Sequence, residues 1–125
     1  EEDMRRAILM KPSLIEDGFK PIECERRAGD AGFIDILGVD SMGRLVVVEI
    51  KRRNVTSEDV KQLVRYIEKI EEEFGRRPRA LIVAPGVQRS AVRELEMYRV
   101  EFKALSPRRC MEILREGRGL ERFLE

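Results

Sequence analysis

Two apolar runs, residues 33–39 (Phe33-Ile34-Asp35-Ile36-Leu37-Gly38-Val39) and 45–50 (Leu45-Val46-Val47-Val48-Glu49-Ile50), flank the polar turn Asp40-Ser41-Met42-Gly43. Both consist mostly of β-branched and aliphatic residues with little polar alternation. That is the pattern of strands covered on both faces, and the turn joins them as a hairpin. Downstream, Val60, Leu63, Val64, Ile67, Ile70 and Phe74 recur at the spacing of a single helical stripe facing a sheet. Thr56 or Ser57 caps that helix, Glu58 and Asp59 suit its first turn, and Gly75 stops it. Upstream, Met4, Ala7 and Ile8 mark a first helix ended by Pro12 and Gly18, with Leu14 and Ile15 turning into the core. Residues 19–27 read as a strand with Ile22 and Cys24 on one face and Glu23 and Glu25 on the other, and residues 28–31 as a turn. The remaining pattern is a strand over 80–84, a helix over 88–98, a strand over 100–105 and a helix opened by Ser106-Pro107 and loosened at Gly117 and Gly119. The order αβββαβαβα predicts an α/β fold, a mixed sheet flanked by helices on both sides.

Three ionisable residues interrupt the hairpin. Asp35 sits inside the first run, and Glu49 and Lys51 end the second. Residues two apart on a strand share a face, so Glu49 and Lys51 point the same way. Burying a charge costs several kcal/mol unless it is paired or binds metal. Three such residues in one hairpin therefore mark a candidate site. The competing reading is an acid–lysine pair that merely crosses the sheet.

Composition narrows the chemistry. The 125 residues make one domain, and 42% hydrophobic content supports a core. No run approaches a membrane span and no signal peptide is visible. There is no His, which removes His-ligated zinc and His-assisted nucleophiles. Cys24 and Cys110 are far apart and read as buried, reduced thiols of an intracellular, cytoplasmic protein. With 25 basic and 24 acidic residues the chain is not generally basic, so local clusters matter: Arg26-Arg27, Lys51-Arg52-Arg53, Arg76-Arg77 with Arg79, and Arg108-Arg109. Each is a candidate phosphate contact or a solvated face. High charge without Trp suits a thermophile. The chain opens on Glu1, so a preceding partner domain is allowed for.

Two carboxylates and an ammonium on adjacent strands suit a hard divalent cation. Mg²⁺ or Mn²⁺ takes oxygen ligands and keeps waters, so two carboxylates suffice when a substrate phosphate completes the set. Such a site activates water and stabilises charge on phosphorus without His. The chemistry indicated is phosphodiester hydrolysis.

Asp35, thirteen intervening residues and then Glu49-Ile50-Lys51 resemble the PD-(D/E)xK nuclease signature. Gln62-Leu63-Val64-Arg65-Tyr66 resembles the QxxxY helix motif of its RecB-like branch. Residues 32–40 with 48–53 are similar to the C-terminal nuclease domain of the archaeal NucS/EndoMS family, and the likeness covers most of the chain. Ile34 stands where the signature often has proline. The resemblance implies a restriction-endonuclease-like fold over residues 1–116. It implies a metal-dependent DNA endonuclease acting on mismatched, branched or single-stranded DNA in repair. A junction-resolvase-like nuclease and an inactive nuclease-fold DNA-binding module are the alternatives. Asp35, Glu49 and the Ile50 carbonyl would hold Mg²⁺ or Mn²⁺, with Lys51 the catalytic lysine. Gln62 and Tyr66 would lie over the site and hold the substrate backbone, Glu2 and Glu25 are secondary candidates, and Arg52 and Arg53 would contact DNA. The family's N-terminal domain binds DNA and dimerises, so the resemblance implies a homodimeric parent. Residues 117–125 read as a flexible tail in which Leu120, Phe123 and Leu124 resemble the end of a sliding-clamp-binding peptide; Gly117 and Leu124 depart from that pattern.

Overall fold

The apolar runs become the strands of one sheet. A computed structural model describes the backbone of residues 1–124 and the side chains of residues 1–117. Its elements are α1 (Glu2–Met10), a 3₁₀ turn (Pro12–Leu14), β1 (Lys20–Arg27), β2 (Phe33–Val39), β3 (Leu45–Ile50), α2 (Ser57–Phe74), β4 (Arg79–Ala84), α3 (Arg89–Met97), β5 (Val100–Ala104) and α4 (Pro107–Leu124). The strands lie in the order β1-β2-β3-β4-β5. The first three are antiparallel neighbours, and β3, β4 and β5 are parallel, joined by the α2 and α3 crossovers. The expected order αβββαβαβα and mixed sheet are both present.

Each face of the sheet has its own apolar layer. Met4, Ala7 and Ile8 of α1 and Cys110, Ile113 and Leu114 of α4 pack on Ile36, Val46, Val48, Ile50, Leu81 and Val83. Leu63, Ile67 and Ile70 of α2 and Ala91 of α3 pack on Val47, Ala80, Ile82 and Ala84. Alternate residues of β3 and β4 thus enter different layers, which is why these runs carry so little polar alternation. Burial of each larger side chain contributes roughly 1.5–3 kcal/mol. Helix α2 is held at both ends. Thr56 Oγ1 accepts from the Asp59 N–H at 3.2 Å while Asp59 Oδ2 accepts from the Thr56 N–H at 2.9 Å. Gly75 takes the left-handed φ of +74° that ends the helix.

Two departures from simple alternation place the site. Ile34 and Leu37 both lie in the α2/α3 layer while Ile36 lies in the α1/α4 layer. The two-residue period of β2 therefore slips at Asp35. On the neighbouring strand, between the pairs Cys24↔Ile36 and Arg26↔Ile34, Glu25 has φ +51°. A non-glycine residue in the left-handed region carries strain, here facing the slipped residue. The second departure concerns β1, which is an edge strand. Ile22 is 56% exposed and Cys24 is exposed, which corrects the expectation of two buried thiols. Only Cys110 is buried, and burial pushes its thiol up. Both cysteines are free.

At the amino-terminal end of β4, Arg79 meets three carboxylates: Glu16 at 2.8 Å, Asp40 at 3.1 Å and Glu101 at 2.6 Å. Asp40 also accepts from the Met42 and Arg44 N–H groups at 2.9 Å, closing the β2–β3 turn. One guanidinium thereby ties the segment before β1, the hairpin turn and β5 to β4. Helix α4 runs on through Gly117, whose missing side chain leaves room for Met10 of α1. The side chains of Leu120, Phe123 and Leu124, named above for clamp binding, lie outside the described residues. Among the described residues no helix is long and apolar enough to cross a membrane.

Candidate active site

The hairpin register brings the two acids together. The β2–β3 ladder ends at Ile36↔Val48, and the next step outward is Asp35 and Glu49. There β2 parts from β3, and Asp35 Oδ2 accepts the Ile50 N–H at 2.7 Å in place of a backbone partner. Glu49 is 6% exposed. Burial, then a hydrogen bond and like charge from Asp35, push its carboxyl up to about 10. Lys51 pulls the other way. Two carboxyl groups this close need a proton or a cation between them.

A carboxyl raised in the folded state weakens the fold as pH climbs from its ordinary 4.5 toward about 10, because the unfolded chain releases the proton first. Glu49→Gln removes that penalty. In chelator at pH 8 it is expected to stabilise the metal-free protein by about 1–3 kcal/mol. Melting curves across neutral and alkaline pH check this, and the variant's melting temperature should vary less with pH than the parent's.

Lys51 leaves the strand with its N–H on the Val83 carbonyl at 2.8 Å. Its ammonium lies 3.9 Å from Asp59 Oδ1. Asp59 also takes both arms of Arg53, at 2.7 and 3.1 Å. Burial raises the Asp59 carboxyl, but Arg53 and Thr56 outweigh it and hold it below the ordinary carboxylate range. The sequence marks Asp59 only as a first-turn acid. It in fact joins Lys51, Arg53 and the start of α2, and a lysine and an arginine two residues apart, six to eight residues before it, were the available signal. Arg53 is committed to this pair, whereas Arg52 is exposed and its backbone N–H donates to Glu1 at 3.4 Å.

Gln62 and Tyr66 share a side of α2 as expected, and both meet the loop before β2. Gln62 Nε2 donates to the Ala31 carbonyl at 2.9 Å. Tyr66 is buried, and its ring edge and hydroxyl abut Gly32, where a Cβ would fall 2.9 Å from the oxygen. Their nearest work is thus to fix the loop that delivers Asp35, a link the sequence did not reveal. Glu25 lines one groove with Phe33 and Asp35. It pairs with Arg5, which also lies 3.8 Å from Glu2, so the two secondary acids share one cation. Among the described residues no three Asp, Glu, Cys or His side chains converge as a cage. Two hard carboxylates, one buried and raised by the other, fit a cation that keeps open positions for water and phosphate.

A mixed sheet with paired acids where two strands part, and a lysine two residues beyond, defines a restriction-endonuclease-like nuclease domain. The likeness to known proteins is specific. Residues 1–122 match the family described as the endonuclease NucS C-terminal domain, and the chain belongs to that family. It is 45% identical over 107 residues to endonuclease NucS of Methanopyrus kandleri, covering 86% of this chain and 41% of that protein. It is 39% identical over 107 residues to that of Pyrococcus horikoshii, covering 86% and 42%. An EndoMS–dsDNA complex superposes with TM-score 0.80 at 40% identity, covering 85% of this chain and 44% of that one. A repair endonuclease from Pyrococcus abyssi also gives 0.80, at 39% identity, covering 85% and 46%. The chain spans about two fifths of the length of these curated relatives.

Proposed function

We propose that the chain is the cutting part of a DNA repair endonuclease that uses Mg²⁺ or Mn²⁺ to hydrolyse phosphodiester bonds at mismatched, branched or single-stranded positions. The observation that carries this is the pairing of Asp35 with the buried Glu49 where β2 and β3 part. Asp35, Glu49 and the Ile50 carbonyl would hold the cation. When bound, the cation supplies an activated water and neutralises charge on the phosphate. The Lys51 ammonium faces the same phosphate, kept in place by Asp59. Gln62 and Tyr66 act as positioning residues through residues 31 and 32. Arg52 is a DNA contact. The relatives' printed names, endonuclease NucS and an EndoMS–dsDNA complex, support the reading. In the cell the parent protein works in the cytoplasm as a homodimer, with residues 120–124 reaching a sliding clamp.

The test is cleavage of end-labelled mismatched, branched and single-stranded DNA by the chain and by its full-length parent. Products should form with Mg²⁺ or Mn²⁺ and disappear in chelator. Cutting that persists in chelator, or no cutting of any substrate by the parent, rejects the assignment. Lys51→Ala should lower single-turnover cleavage about 100- to 1000-fold, as for loss of one preorganised charge. Titration calorimetry with Mn²⁺ should show metal affinity changed by no more than about threefold, since Lys51 is not a ligand. For the tail, removing residues 120–125 should reduce recovery of the parent on an immobilised clamp, and equal recovery dismisses that contact.

A further inference from the structure

Phe33 is 60% exposed at the start of β2. Of the other phenylalanines with described side chains, Phe19 is buried and Phe102 packs on the α2/α3 layer, while Phe74 is 44% exposed but has the Arg26 guanidinium over its ring at 5.3 Å. Phe33 instead forms one wall of the groove that also holds Glu25 and Asp35. The ring thus offers an uncovered apolar face in the groove that Asp35 also lines. Arg27 is its register partner across the β1–β2 ladder. Arg27 is exposed, has no carboxylate partner among the described residues, and is steadied by its Nε donating to the Gly29 carbonyl at 3.0 Å.

From this juxtaposition we infer that Phe33 is a stacking platform for an unpaired nucleobase next to the phosphate being cut, with Arg27 on the neighbouring phosphate. This rests on the nuclease reading above. Phe33 and Asp35 line the same groove, so ring and acid are within reach of one nucleotide. A base inside a continuous duplex has both faces covered. A splayed or single-stranded base does not, and aromatic side chains take such bases irrespective of sequence. Phe33 is therefore a specificity-determining contact for unstacked DNA, separate from the residues that hold the cation.

The chain contains no tryptophan, so F33W introduces one fluorophore at the groove. In a D35N background, which keeps the DNA intact, adding an oligonucleotide with an unpaired base should quench its emission in step with binding measured by anisotropy. A fully matched duplex should quench it less. Phe33→Ala and Phe33→Leu should each weaken binding of the unpaired substrate about tenfold, and Phe33→Trp should not. Because the side chain is exposed, all three variants should melt within a few degrees of the parent. Equal binding by Phe33→Leu, unchanged F33W emission when DNA is added, or emission that follows protein concentration alone overturns the inference, the last by showing a second copy on the ring. The nuclease reading fails by a different result, cleavage that survives Asp35→Asn.

Discussion

Replacing Asp35 or Glu49 by its amide is expected to reduce DNA cleavage by the full-length parent at least about a thousandfold, roughly 4 kcal/mol of lost transition-state stabilisation. Among the described residues no three Asp, Glu, Cys or His side chains converge as a metal cage, so the two acids carry the site between them. Each amide preserves side-chain size. Asp35→Asn keeps an oxygen for the Ile50 N–H that Asp35 accepts at 2.7 Å. Glu49→Gln removes a carboxyl that burial and Asp35 already hold near 10, so the metal-free fold gains stability. The loss is thus a loss of chemistry and not of folding. DNA affinity should be unchanged or slightly stronger, since neither variant adds negative charge beside a phosphate and Asp35→Asn removes one. Single-turnover cleavage paired with anisotropy reads both quantities, and undiminished cutting by both variants would sink the assignment of these residues.

The second large effect falls on stability at the far end of the sheet. Arg79→Met leaves Glu16, Asp40 and Glu101 facing one another without their shared cation. Breaking a buried pair costs about 3–5 kcal/mol; Arg79 is 17% exposed but Glu101 is 46% exposed, so about 2–3 kcal/mol is expected. For a domain of this size that lowers the melting temperature by roughly 8–12 °C. The acid side of the stability curve should change as well. Glu16 is held below the ordinary range first by Arg79, and Asp40 first by the Arg44 N–H with Arg79 adding to it. Lowered carboxyl pKa values stabilise the fold above the unfolded values of 4.5 and 3.8, and that stabilisation disappears as pH falls through the folded ones. The parent should therefore lose stability steeply below about pH 4.5, and Arg79→Met less steeply. Melting temperatures measured from neutral pH to pH 2 decide the matter, and parallel curves would show that Arg79 does not set these carboxyls.

The elements and the paired acids were legible because local rules governed them. The α2 stripe, its Thr56 cap and Gly75 stop, and the hairpin turn at Asp40 follow from spacing and turn chemistry. What stayed hidden was nonlocal. In the run from Ile34 to Leu37 three residues are apolar, so composition cannot show that the period slips at Asp35. Ile22 and Cys24 alternate with acids like a buried face, yet β1 lies at the sheet edge, and only topology says so. Asp59 looks like any helix-opening acid until the fold brings Lys51 and Arg53 to it. Gln62 and Tyr66 were found as a motif, but their partners at residues 31 and 32 depend on how α2 lies across the sheet.

The segment after β3 is stitched to the segment after β4. Lys51 N–H bonds the Val83 carbonyl, Val55 N–H bonds the Gly86 carbonyl, and Gln88 N–H bonds the Val55 carbonyl, each at 2.8–2.9 Å. Lys51 and Val55 thus belong to the sheet in all but name, and their amides should exchange with solvent as slowly as those of the central strands. Such a site is a fixed anvil. If DNA is its substrate, the bending or unstacking needed to present a phosphate would fall on the nucleic acid.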